Sequence, residues 1–270
     1  MKFDVNCSIL FTELPLLQRP AAAAAAGFEA VEFWWPFAGP VPGDQEAEAF
    51  LGAIADAGVS LVGLNFDGGD MSQGHRGLLS DPATSAAFRD NIQAATALAG
   101  RAGCTTLNAL YGNRVDGLSE AEQDELALEN LALAVQAAAG VGATVVIEAL
   151  NSYDTPRYPL VSSAAAVAVV DRVRAATGAA NIAFLADTYH LGRMGENLAA
   201  VLAGQYSKIG HVQVADVPGR GAPGTGETAF GPLFAELAGL RYPGWVGLEY
   251  KPADPADSST SFSWLTASES

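Results

Sequence analysis

Short segments rich in β-branched and aromatic residues alternate along the whole chain with longer segments rich in Ala, Leu and Glu. Eight of the short segments have the usual length of a strand. They are Phe3–Cys7, Ala30–Trp34, Leu61–Phe66, Thr106–Leu110, Thr144–Ala149, Ile182–Ala186, His211–Ala215 and Trp245–Tyr250. Eight strand–helix units within 270 residues match the size of a (β/α)8 barrel. The pattern therefore predicts an α/β fold, a single (β/α)8 TIM barrel, and leaves a doubly wound open sheet as the alternative.

The segments that separate these strands are predicted to be helices. They are Pro15–Ala26, Asp44–Ala57, Pro82–Ala102, Ser119–Ala139, Ser162–Ala176, Glu196–Gln205 and Phe230–Ala238, with a final short turn near Ser259–Leu265. Ser119 with Glu122 three residues later has the pattern of a capping box, which opens a helix. No Pro/Ser-rich linker divides the chain, so we expect residues 1–270 to form one TIM-barrel domain.

Charge and cysteine content exclude several classes of protein. With 14 Lys and Arg against 30 Asp and Glu, the net charge is −16, which argues against binding to nucleic acid or to an anionic membrane. Two cysteines, Cys7 and Cys104, are too few for a secreted disulfide framework. No apolar run has transmembrane length, and the first residues lack the pattern of a signal peptide. We therefore expect a cytoplasmic protein.

Four consecutive predicted strands carry an oxygen ligand at or near their carboxyl ends, namely Glu148, Asp187, Gln213 and Glu249. In a barrel of this type, catalytic residues lie at the mouth formed by these ends. A carboxylate that follows apolar residues is costly to bury without a partner, and 14 basic residues provide few partners. Three carboxylates and one amide suit a hard divalent cation, Mg²⁺ or Mn²⁺, better than zinc.

Glu148 and Glu249 are predicted to face each other across the mouth and to act as the catalytic pair. One carboxylate would remove a proton from carbon, and the other would return a proton to the neighbouring carbon. A cation that held both oxygens of an α-hydroxycarbonyl would stabilise the enediolate between these steps. This is the chemistry of aldose–ketose isomerases and epimerases.

Five further residues are predicted to bind substrate. His190 follows Asp187 by three residues, Asn65 points towards the mouth from the third strand, and Lys251 shares the side of its strand with Glu249. Arg76 and Arg220 lie in Gly-flanked loops, where planar guanidinium groups would bind a substrate carboxylate.

Other polar and aromatic residues near the strand ends are not expected to bind the cation or transfer protons. Glu32 should point towards the mouth, whereas His211 should lie deeper as support for the core. Trp34 and Trp35 are expected to line the pocket, to pack in the core or to cover a contact between subunits. The sequence leaves open whether the protein forms a homo-oligomer. The segment Gly219–Gly224 matches GxGxxG, but its two prolines and the late start of the next helix argue against a dinucleotide site.

Six stretches of the chain resemble the hydroxypyruvate isomerase family, which belongs to the xylose isomerase-like TIM barrels. They are VEF at 31–33, IEALN at 147–151, DTYH at 187–190, IGHVQVAD at 209–216, GAPGTGE at 221–227 and GWVGLEYKP at 244–252. The resemblance covers nearly the whole chain, and the last three stretches match in order and spacing.

The resemblance implies a barrel that interconverts hydroxypyruvate and tartronate semialdehyde, with Glu148 and Glu249 transferring protons. It also implies that Glu148, Asp187, Gln213 and Glu249 hold the divalent metal where one is bound. Many relatives in the wider superfamily place His where this chain has Gln213, so the site would be harder and weaker. Isomerisation of 2-oxo-tetronates, ketose 3-epimerisation, an endonuclease and a non-catalytic barrel that binds sugar acids are the alternatives.

Overall fold

Eight parallel strands pair in chain order and close into a barrel, because the first strand pairs with both the second and the last. In the computed structural model, which describes residues 1–267, the strands are β1 (Lys2–Asn6), β2 (Ala30–Phe33), β3 (Ser60–Asn65), β4 (Thr106–Asn108), β5 (Thr144–Glu148), β6 (Ile182–Asp187), β7 (Ile209–Val214) and β8 (Trp245–Leu248). The predicted (β/α)8 barrel is therefore confirmed.

Helices connect the strands and cover the outside of the barrel. They are α1 (Arg19–Ala25), α2 (Asp44–Ala57), α3 (Ser85–Ala102), α4 (Glu120–Ala139), α5 (Ser163–Thr177), α6 (Thr188–Arg193), α7 (Leu198–Gln205), α8 (Phe230–Gly239) and α9 (Ser263–Ala267). Four 3₁₀ turns complete the set, at Leu16–Gln18, Met71–Gln73, Tyr206–Lys208 and Ser258–Phe262. In the part of the chain that is described, no helix combines the length and the apolar character needed to cross a membrane.

Local chemistry explains where several helices begin. Ser119 accepts a hydrogen bond from the Glu122 N–H and Glu122 binds back to Ser119, so the predicted capping box opens α4. The third helix begins at Ser85 rather than at the expected Pro82. Helix α6 was not predicted; it directly follows β6, where the Asp187 carboxylate caps its first turn.

The barrel packs against its helices through apolar side chains, whereas part of its interior is polar. Between the two layers, Phe33 packs edge-to-face on Phe50 at 5.1 Å. Inside the barrel, Asp4, Glu32 and His211 come together below the carboxyl ends of the strands, each at most 4% exposed. Charged groups at this depth need partners. Glu32 is bound by His211 within the interior and by Gln213 at the mouth.

Candidate active site

The ends of β5 to β8 bring the four predicted oxygen ligands to one end of the barrel. Glu148 and Asp187 are the last residues of their strands, Gln213 is the penultimate residue of β7, and Glu249 directly follows β8. Asp187 and Gln213 are register partners on neighbouring strands. Because all eight strands are parallel, all four side chains lie at the same mouth, and each is at most 5% exposed.

Glu148 is held through one of its two carboxylate oxygens. Asn108 at the end of β4 donates a hydrogen bond from Nδ2 to Oε2 at 2.8 Å. Oε1 lies 3.9 Å from His190 Nε2. Burial, together with the like charges of Glu249 and Asp187, raises the pKa of Glu148 well above its ordinary value.

Asp187 divides its two oxygens between the fold and the site. Oδ1 accepts the backbone N–H of Tyr189 at 2.7 Å and that of His190 at 3.4 Å. Oδ2 is buried without a hydrogen-bond partner and lies 3.6 Å from Arg220 Nη2. Burial raises the pKa of Asp187, although Arg220 opposes this shift.

His190 is a neutral hydrogen-bond donor in this environment. The backbone N–H of Asn151 donates to Nδ1 at 3.0 Å, so the proton of the neutral ring is on Nε2. Nε2 lies 3.7 Å from Asp187 Oδ2 and 3.9 Å from Glu148 Oε1. Burial and the nearby Arg220 lower the pKa of His190 well below its ordinary value, which keeps the ring neutral.

Glu249 has the most partners of the four ligand candidates. Its Oε1 accepts hydrogen bonds from Trp34 Nε1 at 2.6 Å and Asn6 Nδ2 at 3.3 Å, and Oε2 lies 3.0 Å from Arg220 Nη2. Burial raises the pKa of Glu249 to about 8, even though Arg220 lowers it. A carboxyl group with this pKa can both release and accept a proton near neutral pH.

A loop built around one carboxylate places Arg220 in the mouth. Asp216 accepts backbone N–H groups at 2.7 to 3.0 Å, those of Val217, Gly224, Gly226 and Thr228. Arg220 sits in this loop with φ 58°, and its guanidinium lies 5.2 Å from the Tyr189 ring. The GxGxxG match belongs to this loop, and the next helix begins only at Phe230.

A cavity of about 140 Å³ opens at the mouth, between the two glutamates and two arginines. Its lining residues are Trp34, Asn65, Met71, Arg76, Leu110, Glu148, Leu150, Asp154, Thr155, His190, Arg220 and Glu249. Burial and the charge of Arg220 lower the pKa of Arg76. Two neighbouring guanidinium groups that repel each other form a favourable place for a substrate carboxylate.

Lys251 is the one predicted substrate-binding residue that does not reach this cavity. Strand β8 ends at Leu248, so the alternation that predicted its direction no longer holds at Lys251. The residue is exposed, and its backbone N–H donates to the Arg220 carbonyl at 2.8 Å. Its contribution in the structure is therefore support for the Arg220 loop.

Residues that sequence reasoning missed hold the two glutamates in place. Asn6 and Asn108 donate to Glu249 and Glu148 from the ends of β1 and β4. Both could have been found by examining strand ends for amides as well as for charges. Trp34 lines the cavity and binds Glu249, whereas the Trp35 indole donates to the Gly39 carbonyl at 2.8 Å.

The oxygens at the mouth fit a divalent cation. Asp187 Oδ2 and Gln213 Oε1 are buried and have no hydrogen-bond partner, and Glu249 Oε2 accepts no hydrogen bond although it lies 3.0 Å from Arg220 Nη2. A carboxylate oxygen of Glu148 and one of Asp187 lie within 4.8 Å of each other, beside a ring nitrogen of His190. Buried oxygens without partners are costly, and a cation would satisfy them.

Comparison with known proteins shows which family the chain belongs to. The model of the xylose isomerase-like TIM barrel family matches residues 20–268. A protein of Streptomyces coelicolor, provisionally named hydroxypyruvate isomerase, is 58% identical over 98% of this chain and 96% of its own length. The chain belongs to the hydroxypyruvate isomerase family of xylose isomerase-like TIM barrels. The resemblance seen in the sequence motifs is thereby confirmed.

Two further relatives show how far the names spread within this family. The 2-oxo-tetronate isomerase of Cupriavidus necator is 37% identical and aligns with 98% of this chain and 97% of its own. The crystal structure of an AP endonuclease, family 2, from Brucella melitensis has a TM-score of 0.88 and 33% identity, and the match covers 98% of each chain. Relatives that align over nearly the whole chain are named isomerases, so the chain is an enzyme of the isomerase class.

Proposed function

We propose that the protein interconverts hydroxypyruvate and tartronate semialdehyde through an enediolate, as a single-domain enzyme in the cytoplasm. The observation that carries the proposal is the cavity in which Glu148 and Glu249 meet Arg76 and Arg220. Two glutamates whose pKa values are raised by burial suit proton transfer, and two arginines suit a substrate that carries a carboxylate.

Two carboxyl groups can carry the two proton transfers of this reaction. One glutamate takes a proton from C3 of hydroxypyruvate, and the electrons of that C–H bond form the C2–C3 double bond of the enediolate. The other glutamate delivers a proton to C2, while the hydroxyl proton moves from the oxygen on C3 to the oxygen on C2. Proton exchange with water then returns both glutamates to their starting protonation states. No oxidant or reductant is consumed. Glu148 and Glu249 both line the cavity, so either can take either role.

Substrate oxygens have donors on the same walls. Arg76 and Arg220 would bind the carboxylate in a bidentate manner, and the Nε2–H of His190 would donate to an oxygen on C2 or C3. Asn65 lines the cavity from the end of β3 and offers a further amide. These groups would fix the substrate so that its C2 and C3 lie between the two glutamates.

Mg²⁺ or Mn²⁺ is the cation that this set of oxygens favours. Glu148, Asp187, Gln213 and Glu249 would hold the ion, because carboxylate and amide oxygens are the ligands that hard cations prefer. When bound, such an ion polarises the carbonyl oxygen and stabilises the negative charge that develops there.

A second candidate substrate, a four-carbon 2-oxo-tetronate, is favoured by a neighbouring cavity. This side cavity has a volume of about 440 Å³ and shares the walls Trp34, Asn65, Met71 and Leu110 with the reaction cavity. Its remaining lining includes aromatic rings and two acidic residues, Asp67 and Asp70, on which hydroxyl groups could donate. Hydroxypyruvate has no carbon to place there, whereas a longer hydroxylated acid does.

An endonuclease activity fits the chain less well, even though one solved relative bears that name. The net charge of −16 opposes the approach of a polyanion, and the whole sequence has three histidines for zinc ligation. One of these, His211, binds Glu32 in the barrel interior. A non-catalytic barrel would not require two buried glutamates at one cavity.

Proton exchange in D₂O tests the proposal directly. Hydroxypyruvate and 2-oxo-tetronate would each be incubated with the protein, with and without Mn²⁺, and NMR would follow deuterium at the carbon next to the carbonyl. We expect enzyme-dependent exchange and product formation with at least one acid. If neither acid exchanges while both bind, the protein is a binding barrel and the proposal is wrong.

An Ala38→Phe variant distinguishes the two substrates. Ala38 lines the side cavity but not the reaction cavity, so a phenyl ring there should raise KM for the four-carbon acid and leave hydroxypyruvate turnover unchanged. An equal loss for both acids would show that the side cavity does not take the longer substrate.

A further inference from the structure

The carboxylate of Glu32 lies beneath the mouth and receives three side-chain nitrogens. Gln213 Nε2 donates to Oε1 at 2.7 Å, and Asn6 Nδ2 donates to the same oxygen at 3.0 Å. His211 Nε2 lies 2.7 Å from Oε2. Glu32 is 3% exposed and is not among the residues that line the reaction cavity.

Glycines on β3 and β8 leave the room that this side chain needs. A Cβ at Gly247 on β8 would lie 2.7 Å from Glu32 Oε1, and a Cβ at Gly63 on β3 would lie 3.0 Å from Oε2. A contact of 2.7 Å is closer than a carbon and an oxygen can approach without displacement. The barrel is therefore built around Glu32 at this height.

The pairing with Glu32 decides which atom of the Gln213 amide faces the site. A side-chain amide has one donor end and one acceptor end, and a carboxylate only accepts. The NH₂ group must therefore turn towards Glu32, because the opposite orientation would set two oxygens 2.7 Å apart. This leaves Oε1 of Gln213 buried, free of hydrogen bonds and next to the register position of Asp187.

We propose that Glu32 is a positioning residue that fixes the Gln213 amide so that Oε1 is presented as a cation ligand. The proposal rests on the cation site described above. Residues that bind a metal ligand from behind orient it, and their loss usually weakens metal affinity about 10- to 100-fold. Asn6 extends the same role, because its amide bridges Glu32 Oε1 and Glu249 Oε1.

A double-mutant cycle separates this role from a general effect of charge or packing. Glu32→Gln can donate or accept, so the Gln213 amide loses its fixed orientation, and we expect Mn²⁺ affinity to fall about tenfold or more. In the Gln213→Glu protein both side-chain termini are oxygens, so no orientation remains to be fixed, and Glu32→Gln also removes the repulsion between the two neighbouring carboxylates. Glu32→Gln should therefore cost little or no Mn²⁺ affinity in that background.

Electron paramagnetic resonance measures the free Mn²⁺ concentration while Mn²⁺ is titrated into each protein without substrate. The four proteins are the wild type, the two single variants and the double variant. Thermal unfolding in EDTA shows whether each variant folds, and Asn6→Ala gives a second variant that disturbs the same bridge. Equal losses of Mn²⁺ affinity in the wild-type and Gln213→Glu backgrounds would overturn the proposal, as would no loss in either. Wild-type protein that takes up no Mn²⁺ would refute both the cation site and this role.

Discussion

Replacing Arg220 with alanine should destabilise the protein most strongly when no divalent cation is present. The guanidinium lies 3.0 Å from Glu249 Oε2 and 3.6 Å from Asp187 Oδ2, and its side chain is 16% exposed. With an effective dielectric constant of about 20, the two attractions would amount to at most about 5.5 and 4.6 kcal/mol, the values for fully ionised carboxyl groups. Desolvation of the guanidinium offsets much of this, and the loss of one partner of a buried pair usually costs about 3–5 kcal/mol. We expect about 3 kcal/mol, because Arg220 keeps some contact with water.

Urea unfolding at pH 8 in EDTA and in saturating Mn²⁺ measures this effect. Arg101→Ala is the matched control, since the Arg101–Glu48 pair has a similar distance of 2.7 Å but side chains that are 49% and 63% exposed. Such a surface pair contributes about 0–1 kcal/mol. Mn²⁺ should reduce the cost of Arg220→Ala, because the ion brings positive charge to the same oxygens. The reasoning fails if Arg220→Ala costs no more than Arg101→Ala in EDTA.

Four other outcomes are expected. Glu148→Gln and Glu249→Gln should each lower kcat by about 10²–10⁴. Bound Mn²⁺ is assayed in parallel, and wild-type turnover by either variant with Mn²⁺ bound would refute the paired-carboxylate mechanism. Arg76→Ala should mainly raise KM, and less so for an analogue with a neutral hydroxymethyl group in place of the carboxylate; equal losses would refute a carboxylate site. Glu249 keeps its proton up to about pH 8 in the folded protein but releases it at about pH 4.3 in the unfolded chain. Cation-free protein should therefore lose stability in thermal scans as the pH rises from about 5 to 8. A rise in stability over this range would contradict the raised pKa of Glu249. Cys7 and Cys104 should resist iodoacetamide until the protein is unfolded, since burial raises both thiol pKa values; modification of the native protein would show local opening.

The barrel could be predicted from sequence because its signals are local and repeated. Each strand and each main helix has its own periodicity, and Gly58 and Gly103 end α2 and α3 in the left-handed conformation that favours glycine. Helix α6 was missed because six residues carry too little periodicity, and its start depends on the Asp187 side chain that was interpreted only as a ligand candidate. Local patterns fail where one residue serves both the backbone and the site.

The positions of the site residues were predictable, but several of their partners were not. Alternation along a strand placed Glu148, Asp187 and Gln213 correctly and then misled at Lys251, which lies beyond the end of β8. Arg220 was predicted to bind a substrate carboxylate, whereas in the structure its guanidinium also pairs with Glu249. For this reason Arg220→Ala should lower kcat as well as raise KM, in contrast to Arg76→Ala.

The scarcity of basic residues explains why amides and an indole surround the two glutamates. Buried carboxylates need donors, and a chain with 14 Lys and Arg against 30 Asp and Glu cannot supply a cation to each one. Neutral donors therefore supply most of the contacts: Asn108 binds Glu148, while Asn6 and Trp34 bind Glu249 in addition to Arg220. A neutral donor stabilises an ionised carboxylate less than an arginine would, so the pKa values of the two glutamates stay high enough for proton transfer. In an acidic barrel, an Asn at a strand end is thus as informative about the active site as a Glu.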